Sequence, residues 1–502
     1  MAIFRASGIL LHPTSLPGRF GIGDLGQAAY RFVDFLGDSG QQIWQILPLG
    51  PTGYGNSPYM CYSALAGNPL LIDLDALREE GLLEESELDP GRPTEGDRVD
   101  FDAVIPYKMA LLHRAYGRFK DGANPDLAQE FEQFCEAQQS WLEDYALFIA
   151  VKRTTDDAPW YDWEPALAKR EPEALAAWRD RLGDEVGFSK YVQFEFFRQW
   201  QALKAYANDR SIAIFGDIPI YVAGDSADVW ANPDLFCLNP ETGKAALMAG
   251  VPPDYFSETG QLWGNPVYDW DALAATGYRW WIERFRHTLT VVDWIRVDHF
   301  RGFEGYWAVP EGETTAIAGE WLPGPGAALF EAVDQALGQL PIIAEDLGII
   351  TPEVEALRDR FGFPGMKILH FAFDSGAGNP YLPHNFGSPN YLIYTGTHDN
   401  DTTVGWFRQR SPEDQERVYN YLGYGNPDSI HWDLIRAAHA SVAVWSIIPL
   451  QDLFGLGTEC RFNTPGLATG NWDWRYGPDD CTDAIAQRLR WLTELYGRAP
   501  QS

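Results

Sequence analysis

An α/β fold is what this sequence predicts, with eight parallel strands closed into a barrel and ringed by helices. Three observations carry the expectation. Eight short apolar runs are spread along the 502 residues, each followed by Gly, Pro or polar residues. Amphipathic helical segments separate several of them, and strand–helix alternation implies a parallel sheet. Three of the runs end in a carboxylate, and in such a barrel all C-terminal strand ends converge on one mouth, where the chemistry sits.

The runs are residues 8–11, 43–47, 212–215, 294–297, 342–344, 367–371, 392–394 and 442–448. An apolar run this short is compatible with buried helix, but the punctuation and β-branched content favour strand. Residues 28–37 (AAYRFVDFLG) form the helix between the first two, with a core-facing stripe. Residues 353–360 follow the fifth. The chain is read as one catalytic domain, 1–502, with two excursions. Residues 52–210 are expected to form an inserted, mainly helical subdomain, with helices over 107–119, 128–151 and 191–208 and the Trp-rich stretch APWYDWEP. Residues 224–277, rich in Gly, Pro, Asn and aromatics, are expected to be a lid or substrate loop. The acidic stretch 79–100 reads as a solvated loop.

Lys and Arg number 38 against 71 Asp and Glu, a net charge of −33. That field repels polyanions, so nucleic acid and anionic membranes are excluded as partners while a neutral polar ligand is not; most of the charge is expected simply to be solvated surface. Aromatic residues make up 14% of the chain, and their flat amphipathic faces suit sugar rings as well as cores. Five scattered Cys (61, 135, 237, 460, 481) with no CxxC pair fit a reducing compartment. There is no signal-like apolar run at the N-terminus and no membrane-length segment. A soluble cytoplasmic protein is expected.

The chemistry is concentrated in VVDWIRVDHFRG, residues 291–302. Side chains alternate faces along a strand, so Arg296 and Asp298 share one face at a strand end. Taken alone, that is equally a structural ion pair. Two further strand ends change the balance: Glu345 ends PIIAE, and Asp399 ends NYLIYTGTHD. There is no His/Cys set at metal-ligand spacing, no P-loop, no GxSxG elbow and no GxGxxG after a strand, so neither a metal nor a cofactor is expected. Several carboxylates without a cofactor suit glycosidic bond chemistry. There one acid protonates the leaving oxygen while another carboxylate attacks the anomeric carbon or activates water. Arg296 beside Asp298 would keep that Asp ionised, as a nucleophile needs. Glu345, with no adjacent base, is the better acid. Asp399 would bind sugar hydroxyls.

RVDHFRG, AEDLG and GTHDND resemble the three catalytic motifs of the 4-α-glucanotransferases (amylomaltases, or disproportionating enzymes) of the α-amylase clan. SGILLHPTSLPG, WQILPLGPTGYGNSPY, FGDIPIYVAGDSADVWANPDLF, GVPPDYFSETGQLWGNPVYDW and NTPGLATGNWDWR extend the likeness over nearly the whole chain. The resemblance implies a (β/α)8 TIM barrel with inserted subdomains and no separate C-terminal β-domain. It implies transfer of α-1,4-glucan segments (maltooligosaccharides, starch or glycogen) by a retaining double displacement. Asp298 would be nucleophile, Glu345 general acid/base and Asp399 transition-state stabiliser. It assigns Arg296, His299 and His398 to the sugar at the cleavage point, and Ser57, Tyr59, Asp217, Trp263 and Asn463 to further glucan contacts.

Plainer readings stand beside these. Asp217 could merely satisfy backbone at a strand end, Trp263 and Tyr255 could be lid packing, and Tyr54 surface packing. His12 serves either loop packing or the outer shell of the site. Asp346 points away from Glu345 on an extended strand and reads as structural. Three rival functions share parts of the pattern: an α-amylase-type hydrolase on the same barrel, a noncatalytic glucan-binding protein, and a Mg²⁺-dependent barrel enzyme.

Overall fold

The computed structural model of the chain describes residues 4–94, 96–253, 257–423, 425–467 and 469–500. Eight strands lie where the apolar runs put them: β1 Ala6–Leu10, β2 Ile43–Gln45, β3 Ala213–Ile218, β4 Trp294–Val297, β5 Ile342–Ala344, β6 Gly365–Ile368, β7 Tyr391–Tyr394 and β8 Trp445–Pro449. All pair in parallel, in the order β6-β7-β8-β1-β2-β3-β4-β5. The fold is a (β/α)8 barrel. Strand ends shift by a few residues from the runs, because apolar composition does not mark where a ladder stops. Val442, half exposed, precedes β8, and residues 369–373 leave β6 in a 3₁₀ turn.

The ladder runs continuously from β6 round to β5, and the last joint is made differently. Ala344 N donates to Pro364 O at 2.9 Å. Beyond it, Met366 N donates to the Asp346 carboxylate at 2.7 Å, and Arg358 pairs with the same carboxylate. Asp346 is therefore structural, as its strand position suggested, and its side chain completes the seam.

Alternation along the strands separates two cores. Inside the barrel, Leu10, Phe215, Trp294, Ile343, Met366, Leu392 and Trp445 pack together. Trp445 meets Phe215 and Trp294 edge to face, at 5.5 and 4.8 Å between ring centroids. Outward-facing Ile9, Trp44, Ile214, Ile295, Ile393 and Ile448 meet the helices. The helix after β1, Gln27–Asp38, buries Ala28, Ala29, Phe32, Val33, Phe35 and Leu36.

Between β2 and β3 the longest described helices are Phe101–Lys120, Pro125–Ala137, Gln139–Thr154 and Gly183–Asp209, with the shorter Pro172–Arg181 before the last. The last of these also packs on β3 and on Gln27–Asp38, so its C-terminal part serves as a barrel helix. Fully buried Lys108 ties the excursion to the β1 loop, donating to Leu70 O at 2.8 Å and lying 3.7 Å from Asp24. The acidic stretch is more ordered than a plain loop: Glu85–Leu88 is a capped helical turn with Leu88 buried.

Residues 224–277 also differ from a plain loop. Leu247–Val251 and Gln261–Pro266 form an antiparallel hairpin, and Gly305–Pro310 and Glu320–Pro323 extend it to four strands. These strands are short and laden with Gly and Pro, so no apolar run announces them. After β8 there is only short structure and the helix Asp483–Leu495, with no C-terminal β-domain among the described residues. No described helix is long and apolar enough to cross a membrane.

The floor of the barrel is latched by Arg498. Its buried guanidinium donates to Ala6 O (2.8 Å), His439 O (2.9 Å) and Ala443 O (2.9 Å), joining β1 to the segment entering β8. Removing it strands several buried carbonyls at once. Arg498→Ala is therefore expected to cost about 3 kcal/mol or more, read as a lower urea midpoint with an unchanged slope.

Candidate active site

At the C-terminal end of β4, Arg296 and Asp298 share the inward face. Arg296, buried, reaches Asp298 at 2.7 Å with one Nη and Asp217 at 2.5 Å with the other. Asp217 lies beside Arg296 in the β3–β4 register. Burial works against the guanidinium's charge, but Asp217 and Asp298 outweigh it and hold its pKa well above the ordinary value. Tyr59 donates its hydroxyl to Asp217 at 2.7 Å, and its ring stacks on His398 at 5.2 Å. The plain reading of Asp217 as a backbone satisfier is thus replaced: its carboxylate links the β2 loop to the arginine.

Backbone bonds continue past the strands. Asp298 N donates to Ile218 O at 2.9 Å and Glu345 N to Val297 O at 3.0 Å. His299 turns into the left-handed region at φ 51°, rare for a non-glycine residue. That turn aims its amide at Glu345 Oε2, 2.7 Å away, while Leu347 N donates to Oε1 at 2.9 Å. Glu345 is thereby fixed by the main chain beside Asp298. Burial, reinforced by the Asp298 charge, outweighs those two amides and pushes its pKa up to about 8. The His299 imidazole is held neutral, its pKa lowered to about 4 by burial.

Asp399 has the opposite environment. Burial opposes its ionisation, but His398 at 3.3 Å and the Asn463 amide at 2.7 Å overcome it and hold the carboxyl below the usual range. Two carboxylic acids in one mouth thus have pKa values pushed apart, the pattern that separates an acid from an anion in acid–base sites. Trp263, on the Gln261–Pro266 strand, sets its ring edge to face against His299 at 4.9 Å.

The eleven residues singled out from the sequence fall into two contact groups that meet at the Asp298–His299 peptide. One is Arg296 with Asp217, Asp298, Tyr59, His398, Asp399 and Asn463; the other is Glu345 with His299 and Trp263. Ser57 joins the first group through the main chain: its hydroxyl accepts from Tyr59 N at 3.2 Å and shapes the turn that presents Tyr59. His12 is buried, and Tyr54 is 75% exposed. Tyr255 lies outside the described residues. Two contributors escaped sequence reasoning. Arg461 donates to Asp399 O at 2.5 Å. Trp472 packs against both Tyr59 and His398, at 5.9 and 6.0 Å. Its left-handed backbone, φ 65°, is a strained setting for a bulky residue. Arg461 stands two residues before NTPGLATGNWDWR and Trp472 lies within it, so position at a motif was the one available signal. Among the described residues no group of His, Cys, Asp and Glu is arranged to hold a metal ion.

Comparison with known proteins agrees with this geometry. A family model described as 4-alpha-glucanotransferase matches residues 11–480. A 4-alpha-glucanotransferase of Synechocystis sp. is 62% identical over 495 residues, 98% of each chain. One of Thermus thermophilus is 48% identical over 504 residues, 99% of this chain and all of that one. Among solved structures, amylomaltase from Streptococcus agalactiae in complex with acarbose superimposes with a TM-score of 0.96 at 39% identity, covering 99% of this chain and all of that one.

The raised Glu345 pKa has two measurable consequences. Turnover that needs its proton should fall as pH rises through about 8, seen as the alkaline limb of kcat/KM. For stability, the folded state keeps a proton that the unfolded chain releases near 4.5, so ionisation costs the fold between about 4.5 and 8. Glu345→Gln never ionises. Its melting temperature should therefore gain on the parent's as pH is raised across that window, and the gain should level off above it.

Proposed function

The chain belongs to the 4-alpha-glucanotransferase family, and from that premise we propose how its three acids divide the reaction. The enzyme moves α-1,4-glucan segments from a donor to an acceptor glucan. One observation carries the assignment of roles: the Arg296-bound carboxylate of Asp298 sits beside a Glu345 that burial keeps protonated. Asp298 attacks the anomeric carbon of the donor. As that glycosidic bond breaks, Glu345 gives its proton to the departing 4-oxygen, and a glycosyl–enzyme ester forms at Asp298. Glu345, now ionised, then takes the proton from the 4-hydroxyl of the acceptor as that oxygen displaces Asp298. Each step inverts the anomeric centre, so the product keeps the donor's configuration.

Asp399, held as an anion, and His398 engage the hydroxyls of the sugar at the cleavage point. They favour the oxocarbenium-like transition state over the ground state. Tyr59 supplies an aromatic face on the same side, Asp217 and Asn463 polar contacts, and Ser57 the turn that places them. We read residues 52–210 as the inserted helical subdomain and 224–277 as the lid, with Trp263 as its contact to the bound glucan. A sugar held under Trp263 would exclude water from the intermediate and direct it to transfer rather than hydrolysis. Starch, glycogen and maltooligosaccharides are the substrates this reading implies. Five free cysteines support work in a reducing, cytoplasmic setting.

Incubation with maltotriose alone tests the reaction. Glucose and a ladder of longer maltooligosaccharides, with constant reducing ends, are expected. Shorter sugars with rising reducing ends would mark a hydrolase. Asp298→Asn should lower kcat by about four orders of magnitude or more while still binding glucan; activity near the parent's would refute the nucleophile. For the lid, Trp263→Ala should raise the ratio of hydrolysis to transfer about tenfold, a change of about 1.4 kcal/mol in the partition. An unchanged ratio would remove Trp263 from acceptor selection.

A further inference from the structure

The loop that carries His398 and Asp399 leaves β7 at Thr395 and ends at Thr403, where the helix Thr403–Arg408 begins. Both ends of this loop meet on one side chain from another element. Asp452, in the short helix Leu450–Phe454 after β8, accepts the Thr395 hydroxyl at 2.5 Å on Oδ2. It accepts the Thr403 hydroxyl on the same oxygen at 2.7 Å, and the Thr403 amide on Oδ1 at 2.6 Å. Asp452 is 1% exposed, and Thr395 and Thr403 are fully buried. Burying a carboxylate without a cation beside it is costly, and here three donors are converged on it instead.

The clamp extends one residue further. The Thr403 hydroxyl has a single proton, which goes to Asp452. The contact between Thr403 Oγ1 and His370 Nε2, 3.0 Å long, therefore has the imidazole as donor. Burial holds His370 neutral, and its ring lies flat on Trp406 at 4.6 Å. A Cβ at Gly396 would come within 2.7 Å of that ring, so the loop's second residue is pressed against the same group. Between the clamped ends the loop is internally braced. Asn400 Oδ1 accepts the Thr397 amide at 2.8 Å, and Thr397 Oγ1 accepts the Asp399 amide at 3.3 Å.

We propose that Asp452 is a positioning residue for the transfer reaction: by drawing Thr395 and Thr403 onto one buried carboxylate, it sets where His398 and Asp399 stand relative to the strand-borne Asp298 and Glu345. This rests on the reading of Asp399 as the transition-state stabiliser. Asp298 and Glu345 are placed by backbone bonds of β3, β4 and β5, so loss of the clamp leaves them in place and displaces only the sugar-stabilising pair. A misplacement of that kind weakens transition-state contacts more than ground-state binding.

Thr395→Val removes one arm at nearly constant volume, Thr395→Ser keeps the hydroxyl, and Asp452→Asn keeps the shape of the hub. With maltotriose, Thr395→Val and Asp452→Asn are each expected to lower kcat about tenfold or more, with KM within about twofold of the parent. Thr395→Ser should restore kcat, and the alkaline limb set by Glu345 should stay where it is. If kcat per folded molecule matches the parent in both Thr395→Val and Asp452→Asn, whether or not their unfolding midpoints fall, the positioning role is overturned. A rise in KM equal to the fall in kcat/KM would overturn it as well. Failure of the underlying site reading shows separately, as activity retained by Asp298→Asn.

Discussion

A single buried guanidinium organises the mouth of this barrel. Arg296 bridges Asp217 and Asp298 across adjacent strands, and neither carboxylate could sit there comfortably without it. The planar fork matches two carboxylates in one fixed geometry, which a lysine could not do. Breaking one arm of such a buried arrangement leaves a charge without its partner, so the three residues stand or fall together. Through Asp217 the arrangement reaches Tyr59, and through the Tyr59 ring it reaches His398 and Asp399. At Glu345 burial is the main cause of the raised proton affinity; the charge of Asp298 adds to it and that of Arg296 opposes it. The contrast between a retained proton on one acid and a retained charge on another is a product of this placement more than of either acid alone.

The placements come from different parts of the fold. Asp298 and Glu345 are held by main-chain bonds that prolong the sheet, so their positions are set by strand register. Asp399 stands in a loop and needs side chains to define it: Asn463 and His398 at its carboxylate, Arg461 at its carbonyl, and the Thr395 and Thr403 contacts at the loop's ends. Trp263 belongs to a third unit, the four-stranded sheet. Gly305–Pro310 of that sheet follows β4 and Asp298 after a single 3₁₀ turn, Phe300–Phe303. The excursion read from sequence as a lid is therefore stitched into the segment that leaves the active site.

Much of this was legible from residues alone. The barrel strands were visible because each is buried on both faces and reads as an unbroken apolar run. The three acids were visible because each ends such a run. The antiparallel sheet was hidden because LMAGV, QLWGNP and EWLP carry Gly and Pro where a strand signal is sought. Trp472 was hidden because its significance lies in a left-handed backbone that no composition reveals. Asp452 was hidden because its partners are some fifty residues earlier in the chain, joined only by the adjacency of β7 and β8.

The sheet that forms the barrel is a ring with one gap, between β5 and β6, bridged by a single main-chain bond and the Asp346 carboxylate. Asp298 and Glu345, just after β4 and β5, lie at one lip of that gap. His398 and Asp399, after β7, lie toward the other. At this one joint the ring is held by a buried Asp346–Arg358 pair and one main-chain bond, where every other joint has a hydrogen-bonded ladder, so the closure of the barrel is a side-chain event.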